Sequence, residues 1–160
     1  MYLICDFDGT LVKNDYFAEQ ISVALIKNPF KTTINILTKP ILQLKHQYLD
    51  NFKPQSVSHL MNEEVISLLK QEKSNFTKTI LITASTDTFI KNALMDSVLF
   101  DEVHGSQDIN LKKSEKLNFI KKMNFEPFVY IGDSKDDEIL FEHAAYYYKI
   151  CNNKPILHRK

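Results

Sequence analysis

Ile4-Cys5-Asp6-Phe7-Asp8-Gly9-Thr10-Leu11-Val12 is the stretch that decides how this chain is read. An apolar run leads straight into two carboxylates, then a glycine and a threonine. Asp6 and Asp8 stand two apart, so at strand periodicity their side chains point one way and Phe7 the other. The residues before them are apolar at consecutive positions, which fits a central parallel strand covered on both faces, from Tyr2 to Phe7. Ligands of open α/β sheets bind at the carboxyl ends of strands, where these acids fall. Two adjacent acids at a buried strand end must share a cation or keep one carboxyl protonated. Either arrangement suits phosphoryl chemistry.

Outward from this stretch the chain alternates strands and helices. Residues 14–53 carry no convincing strand. Tyr16 to Lys27 has a helical stripe of Phe17, Ile21, Ala24 and Leu25, with Asn14 or Asp15 as its cap. Asn28-Pro29 breaks it. Lys31 to Tyr48 places Ile34, Leu37, Ile41, Leu44 and Tyr48 in register, with Pro40 kinking or splitting the helix. Lys53-Pro54 ends the region. The expectation is a core of residues 1–13 and 54–160 with a small helical cap, 14–53, inserted after the first strand. A helix is predicted over Ser56 to Lys73 on Val57, Leu60, Met61, Val65, Leu68 and Leu69. A buried strand follows, Lys78 to Thr83, then a helix from Asp87 to Asp96 capped by Ser85 or Thr86. A short strand (Phe100 to His104), a loop (Gly105 to Asn110) and a helix (Ser114 to Met123) come next. Phe128 to Gly132 is a strand, Ile139 to Ala144 a helix, Tyr146 to Ile150 the last strand, and Cys151 to Lys160 a polar tail. This alternation predicts an α/β fold, a three-layer Rossmann-like parallel sheet with right-handed crossovers.

The chain has 160 residues, which fits one domain with a small insert, and 44% hydrophobic residues fit a globular core. Lys+Arg and Asp+Glu balance at 20 each, so no basic excess argues for nucleic acid. Cys5 and Cys151 are too few and too far apart for a zinc motif, and a reducing, cytoplasmic setting is the expectation. The opening residues lack the basic and long apolar regions of a signal peptide, and Lys27, Lys39 and Pro40 interrupt the apolar runs before they reach membrane-spanning length.

Asp6, closest to the rigid strand, is the candidate nucleophile. A carboxylate can attack phosphorus and form an aspartyl-phosphate. Mg²⁺ overcomes the repulsion between two anions and takes carboxylate oxygens, here from Asp6 and Asp133. Asp8 is then left to donate a proton to the leaving oxygen and take one from water. Thr83 ends a buried strand, so its hydroxyl and the Ala84 N–H can hold phosphoryl oxygens, while Ser85 and Thr86 suit a helix cap. A lysine at a helix start wants an anion beside it, and Lys112 and Lys116 both qualify, with Lys113 between them. In Asp133-Ser134-Lys135-Asp136-Asp137, Asp133 is the expected metal ligand. Ser134, Asp136 and Asp137 are expected to orient waters and the lysine around it.

Asp6-Phe7-Asp8-Gly9-Thr10-Leu11 resembles the first motif of the haloacid dehalogenase superfamily. Thr83 resembles its second motif, Lys112 or Lys116 the third, and Gly132-Asp133-Ser134-Lys135-Asp136-Asp137 the acidic fourth, in the family's order. The resemblance implies Mg²⁺ dependence, Asp6 as nucleophile, Asp8 as acid and base, the backbone carbonyl of Asp8 as a further metal ligand, and Gly9 and Thr10 beside Thr83 and Ala84 at the phosphate. Asp8 is present in the superfamily's phosphatases and missing from its dehalogenases, which favours hydrolysis of a small phosphorylated metabolite. The insert resembles the helical type 1 cap of phosphoserine-phosphatase-like members. Leu11-Val12, Asp15, Asn28-Pro29, Thr83-Ala84 and Asn110-Leu111-Lys112 resemble the domain of this superfamily associated with UbiA-type prenyltransferases. Lys113 stands where many relatives carry glycine. Two other functions compete: a receiver-like module that accepts and holds phosphate, and a non-catalytic phospho-ligand-binding partner of a membrane prenyltransferase-type enzyme. Lys27, Lys31, Lys39, Lys45 and Lys53 outnumber Asp15, Glu19 and Asp50 in the insert. Contact of that surface with a membrane or lipid phosphate is the weaker expectation; packing of its apolar stripe on the core is the stronger.

Overall fold

Tyr2–Cys5 forms β1, and every side chain from Leu3 to Cys5 is buried. In the computed structural model, which describes residues 1–50, 60–94 and 98–159, β1 lies at the centre of a six-stranded sheet. Thr79–Thr86 (β2) and Phe128–Gly132 (β4) flank it in parallel. Glu102–Ser106 (β3) lies outside β2, and Tyr146–Cys151 (β5) outside β4. The last element, Lys154–Arg159 (β6), pairs antiparallel with β5 and takes the edge. The order β3-β2-β1-β4-β5-β6 reverses direction at β1, so the crevice between the ends of β1 and β4 is a topological switch point.

Seven α-helices are formed among the described residues: Tyr16–Lys27 (α1), Pro29–Thr38 (α2), Ile41–Leu49 (α3), Glu63–Glu72 (α4), Asp87–Ala93 (α5), Ser114–Lys122 (α6) and Glu138–His143 (α7). Three layers follow from which side chains each sheet face offers. Leu3, Cys5, Leu81, Val129 and Ile131 pack with Val65 and Leu69 of α4 and Phe89 and Ile90 of α5. Ile4, Ile80, Ile82, Phe128 and Tyr130 pack on the opposite face with Leu117 and Ile120 of α6 and Leu140 and Phe141 of α7. Burial on both faces is why the strands read as unbroken apolar runs.

Several boundaries differ from the sequence reading. Pro40 splits the second predicted helix into α2 and α3, because a mid-helix proline removes a donor and clashes with the preceding turn. Residues 56–59 of the helix expected from Ser56, and Asp96 of the helix expected from Asp87, lie outside the described residues; α4 runs from Glu63 and α5 ends at Ala93. The expected polar tail is instead β6: its alternating partners Tyr147 and His158 stack at 4.9 Å, and Asn152 and Asn153 take the positive φ angles of the hairpin turn. The first strand ends at Cys5 rather than Phe7, yet the Asp6 N–H still donates to the Ile131 carbonyl at 3.0 Å. Asp6 is thereby fixed to β4.

The stripe expected to pack the insert on the core does so only in part. Of its residues Leu44 is buried, beside Tyr16 and Leu49, and Phe17, Ile21, Ala24, Leu25 and Tyr48 are half-buried, but Ile34 and Leu37 face outward and Ile41 is exposed at the cavity wall.

Candidate active site

A cavity of about 530 Å³ opens at the carboxyl ends of β1, β2 and β4, with Asp6, Asp8, Thr83, Ala84, Lys116 and Asp133 among its lining residues. A volume of this order suits a small organic ligand.

The Asp6 carboxylate accepts from the Phe7 N–H at 2.8 Å and pairs with Lys116 Nζ at 2.9 Å. Burial pushes the Asp6 carboxyl well up, against the pull of Lys116. Lys116 is itself 2% exposed, and burial alone would depress its ammonium; the carboxylates of Asp6 and Asp137 outweigh that and hold it charged. Lys116 also donates to the Tyr130 hydroxyl at 2.9 Å, and that hydroxyl donates to Asp137 Oδ1 at 2.8 Å. Asp137 Oδ2 accepts from the Ser134 N–H and hydroxyl, at 3.2 and 2.9 Å. Asp137 is therefore a buried, fully engaged carboxylate that fixes the lysine and the turn after β4. Gly132 makes room for it, since a Cβ there would come within 2.8 Å of the Asp137 carboxylate and 2.6 Å of the Tyr130 ring.

Of the two candidate lysines, only Lys116 meets Asp6. Lys112 pairs with Asp136 at 2.8 Å, as Lys113 does at 3.2 Å, and these two cations hold the Asp136 carboxyl below its usual range. Asp136 thus secures the loop before α6 rather than reaching Lys116.

Asp8 is held apart from this network. Its Oδ1 accepts from the Tyr16 N–H at 3.0 Å and its Oδ2 from the Ser85 hydroxyl at 2.7 Å. Burial raises the Asp8 carboxyl to about 6, with the Ser85 and Tyr16 hydrogen bonds pulling the other way. Ser85 is thus a site residue that the sequence reading assigned to a helix cap. Thr86 occupies the cap position of α5, but its hydroxyl donates to Asp50 instead of the helix. Thr83 lines the cavity, and its oxygen accepts from the Ser85 N–H at 3.1 Å, within the irregular stretch of β2 between Ile82 and Thr86 that presents Ala84.

Asp133 is placed by the opening motif. Gly9 has φ +72°, and a Cβ on it would run into the Asp133 carboxylate. Thr10 donates to Asp133 Oδ1 at 3.4 Å. The Thr10 hydroxyl therefore supports Asp133 and is not directed at the cavity as expected; Gly9 is a lining residue. Burial and the nearby Asp137 charge raise the Asp133 carboxyl. Oxygens of Asp6, Asp133 and Asp137 come within 4.8 Å of one another, the one group of this kind among the described residues.

Lys45 of α3, counted by the sequence reading among the lysines of the insert's surface, is instead a second site residue. It is buried at the cavity wall, donates to the Ala84 carbonyl, and reaches Asn110 Oδ1 at 3.0 Å. Burial depresses its ammonium, with Asp8 opposing that shift. A lysine inside a helix of mixed composition carries no sequence signal of this role; its direction comes from how α3 sits against β2.

No family model matches the chain. A curated relative, the uncharacterised protein y4nM of Sinorhizobium fredii, is 30% identical over 148 residues, 89% of this chain but 28% of that protein. The chain thus spans little more than a quarter of that relative. Among solved structures, a phosphoserine phosphohydrolase-like protein from Francisella tularensis superposes with a TM-score of 0.65 at 14% identity, covering 96% of this chain and 88% of the other. A substrate-bound phosphoserine phosphatase gives 0.57 at 20% identity, covering 98% and 88%. A phospho-aspartyl intermediate analogue of phosphoserine phosphatase gives 0.50 at 18% identity, covering 91% and 84%. With its switch-point cavity at the end of β1, the chain has the fold of the haloacid dehalogenase hydrolases, in the form taken by phosphoserine-phosphatase-like proteins.

Proposed function

We propose that the chain is a Mg²⁺-dependent phosphatase that hydrolyses a small phosphomonoester through an aspartyl-phosphate on Asp6. The observation that carries this reading is the division of labour between two neighbouring carboxylates. Asp6 sits against Lys116 in the acidic cluster, whereas Asp8 is held separately by Ser85 and the Tyr16 N–H. The solved relatives described as phosphoserine phosphatases, one of them a phospho-aspartyl analogue, support the same chemistry.

The donor set fits a divalent cation. Asp6, Asp133 and Asp137 gather three carboxylates around one lysine, an excess of negative charge that a hard, oxygen-seeking dication balances. Asp6, Asp133 and the backbone carbonyl of Asp8 would hold it, with Asp137 engaged by Tyr130 and Ser134 beside them. When bound, Mg²⁺ supplies charge neutralisation at the phosphoryl oxygens.

The chain's own residues do the rest. Asp6 attacks phosphorus while the bond to the leaving oxygen breaks. Asp8, raised to about 6 and therefore able to carry a proton near neutrality, gives it to that oxygen. Asp8 then takes a proton from water, which attacks the phosphorus of the acyl phosphate, returning Asp6 and releasing inorganic phosphate. Lys116, the Thr83 hydroxyl and the Ala84 N–H are the groups that hold the phosphoryl oxygens. Helices α1–α3 form the cap over residues 1–13 and 54–160, with Phe17, Ile41 and Lys45 facing the substrate. The 53/54 boundary lies outside the described residues. The free thiols of Cys5 and Cys151 fit a cytoplasmic setting. No helix among the described residues is long and apolar enough to cross a membrane.

Turnover of p-nitrophenyl phosphate with Mg²⁺, its loss on chelation and its absence in D6N are the expected results. Retained turnover in D6N overturns the nucleophile; a stable phosphorylated Asp6 without turnover points instead to a receiver-like role.

A further inference from the structure

Helix α2 is packed with its polar side inward. Thr32 and Asn35 are its buried residues. Thr32 donates to the Ala24 carbonyl of α1 at 3.0 Å, and Asn35 to the Tyr48 hydroxyl of α3 at 3.1 Å. Its large apolar residues point away from the protein: Phe30 is 83% exposed, Leu37 79%, and Ile34 and Ile36 are exposed beside them. Phe30, Ile34 and Leu37 follow one helical stripe, and Ile26 at the end of α1 is exposed as well. A helix on a globular core normally buries this stripe, so the inversion needs a partner that is not the core.

The charge around the stripe says what kind. No Asp or Glu occurs between Glu19 and Asp50, while Lys27, Lys31 and Lys39 are all exposed there. Self-association across this face would bring lysines of two copies together, which like-charge repulsion disfavours. Apolar side chains rimmed by lysines, whose stems can lie along apolar surface with the ammonium at the headgroups, suit a negatively charged lipid interface. We propose that the outward face of α2 docks on an anionic bilayer.

The test is flotation of the chain with phosphatidylcholine vesicles, with and without phosphatidylglycerol. This readout does not depend on phosphatase activity. The chain is expected to float with the anionic vesicles and to partition about 100-fold more weakly onto neutral ones, the loss expected for three lysines near a charged surface. F30S/L37S is expected to keep the wild-type melting temperature and any turnover of soluble aryl phosphate while failing to float. No flotation with anionic vesicles, or flotation unchanged in F30S/L37S, overturns the proposal. So does a wild-type dimer in light scattering that F30S/L37S converts to monomer without any vesicle binding, which would make the face a self-association surface.

Discussion

Lys116 Nζ lies 2.9 Å from Asp6 Oδ1, whereas Lys112, four residues earlier in the loop before α6, lies 2.8 Å from Asp136. The two lysines are equivalent by sequence and opposite by environment, one sealed between carboxylates and the other 53% exposed. K116M is therefore expected to lower kcat/KM for an aryl phosphate by about 10³-fold, the scale of losing a preorganised charge at the reacting group. It also leaves Asp6 and Asp137 buried without their cation, a loss of about 3–5 kcal/mol in a urea melt. K112A removes an exposed pair worth ~0–1 kcal/mol, so activity should change by less than about fivefold.

Ser85 acts through Asp8. S85A removes the 2.7 Å hydrogen bond that fixes the Asp8 carboxyl. Hydrogen bonds to charged groups contribute about 1.5–3 kcal/mol, so kcat should fall roughly 10- to 100-fold for an alkyl phosphate, whose leaving group needs a proton. The loss should be smaller for p-nitrophenyl phosphate, whose leaving group departs without one. Equal losses for both substrates would separate Ser85 from proton transfer.

Lys113 has φ 54° and ψ −126° at the start of α6, a region that glycine enters freely and a side chain does not. K113G should raise stability by about 1 kcal/mol, read as a higher melting temperature. The Lys113–Asp136 pair given up is exposed and offsets little of this gain.

His46 pairs with Asp50 at 2.8 Å, and that hydrogen bond, with the Gln107 carbonyl on the other ring nitrogen, raises the imidazole above its ordinary value. Asp50 in turn accepts from Thr86, so the pair ties α3 to the end of β2. A raised folded-state value means the stabilisation is complete below the unfolded value of about 6.5 and is lost as pH rises through the folded one. Wild-type melting temperature should exceed that of H46Q most on the acid side of this window, with the two converging at alkaline pH. Since His46 is 40% exposed, the difference should stay near ~0.5 kcal/mol.

The sheet was legible because each central strand is apolar at consecutive positions and each ends on Asp, Thr or Gly-Asp. These local patterns locate β1, β2 and β4 and place Asp6, Asp8, Thr83 and Asp133 at one edge of the fold. What stayed hidden depends on direction rather than on type. The choice of Lys116 over Lys112 rests on the rotation of α6, and Ser85 reaches Asp8 because β2 runs on to Thr86. Lys45 enters the cavity through the placement of α3. The insert misled most: Ile34 and Leu37 have the spacing of a core stripe, and spacing alone does not say which side of a helix meets the protein. β6 was missed because its exposed residues, Lys154 and Ile156 among them, lack the apolar run that marked the other strands.

The central position of β1 has a consequence during synthesis. This strand is made before the two it pairs with, β2 from Thr79 and β4 from Phe128. At about 5–20 residues per second, a nascent chain carries β1 unpaired on one edge for on the order of 10 s. During that interval an apolar segment and two acids await partners that do not yet exist. Asp6 and Asp133 are brought together only when the β1–β4 ladder closes, so the candidate site is assembled late in folding.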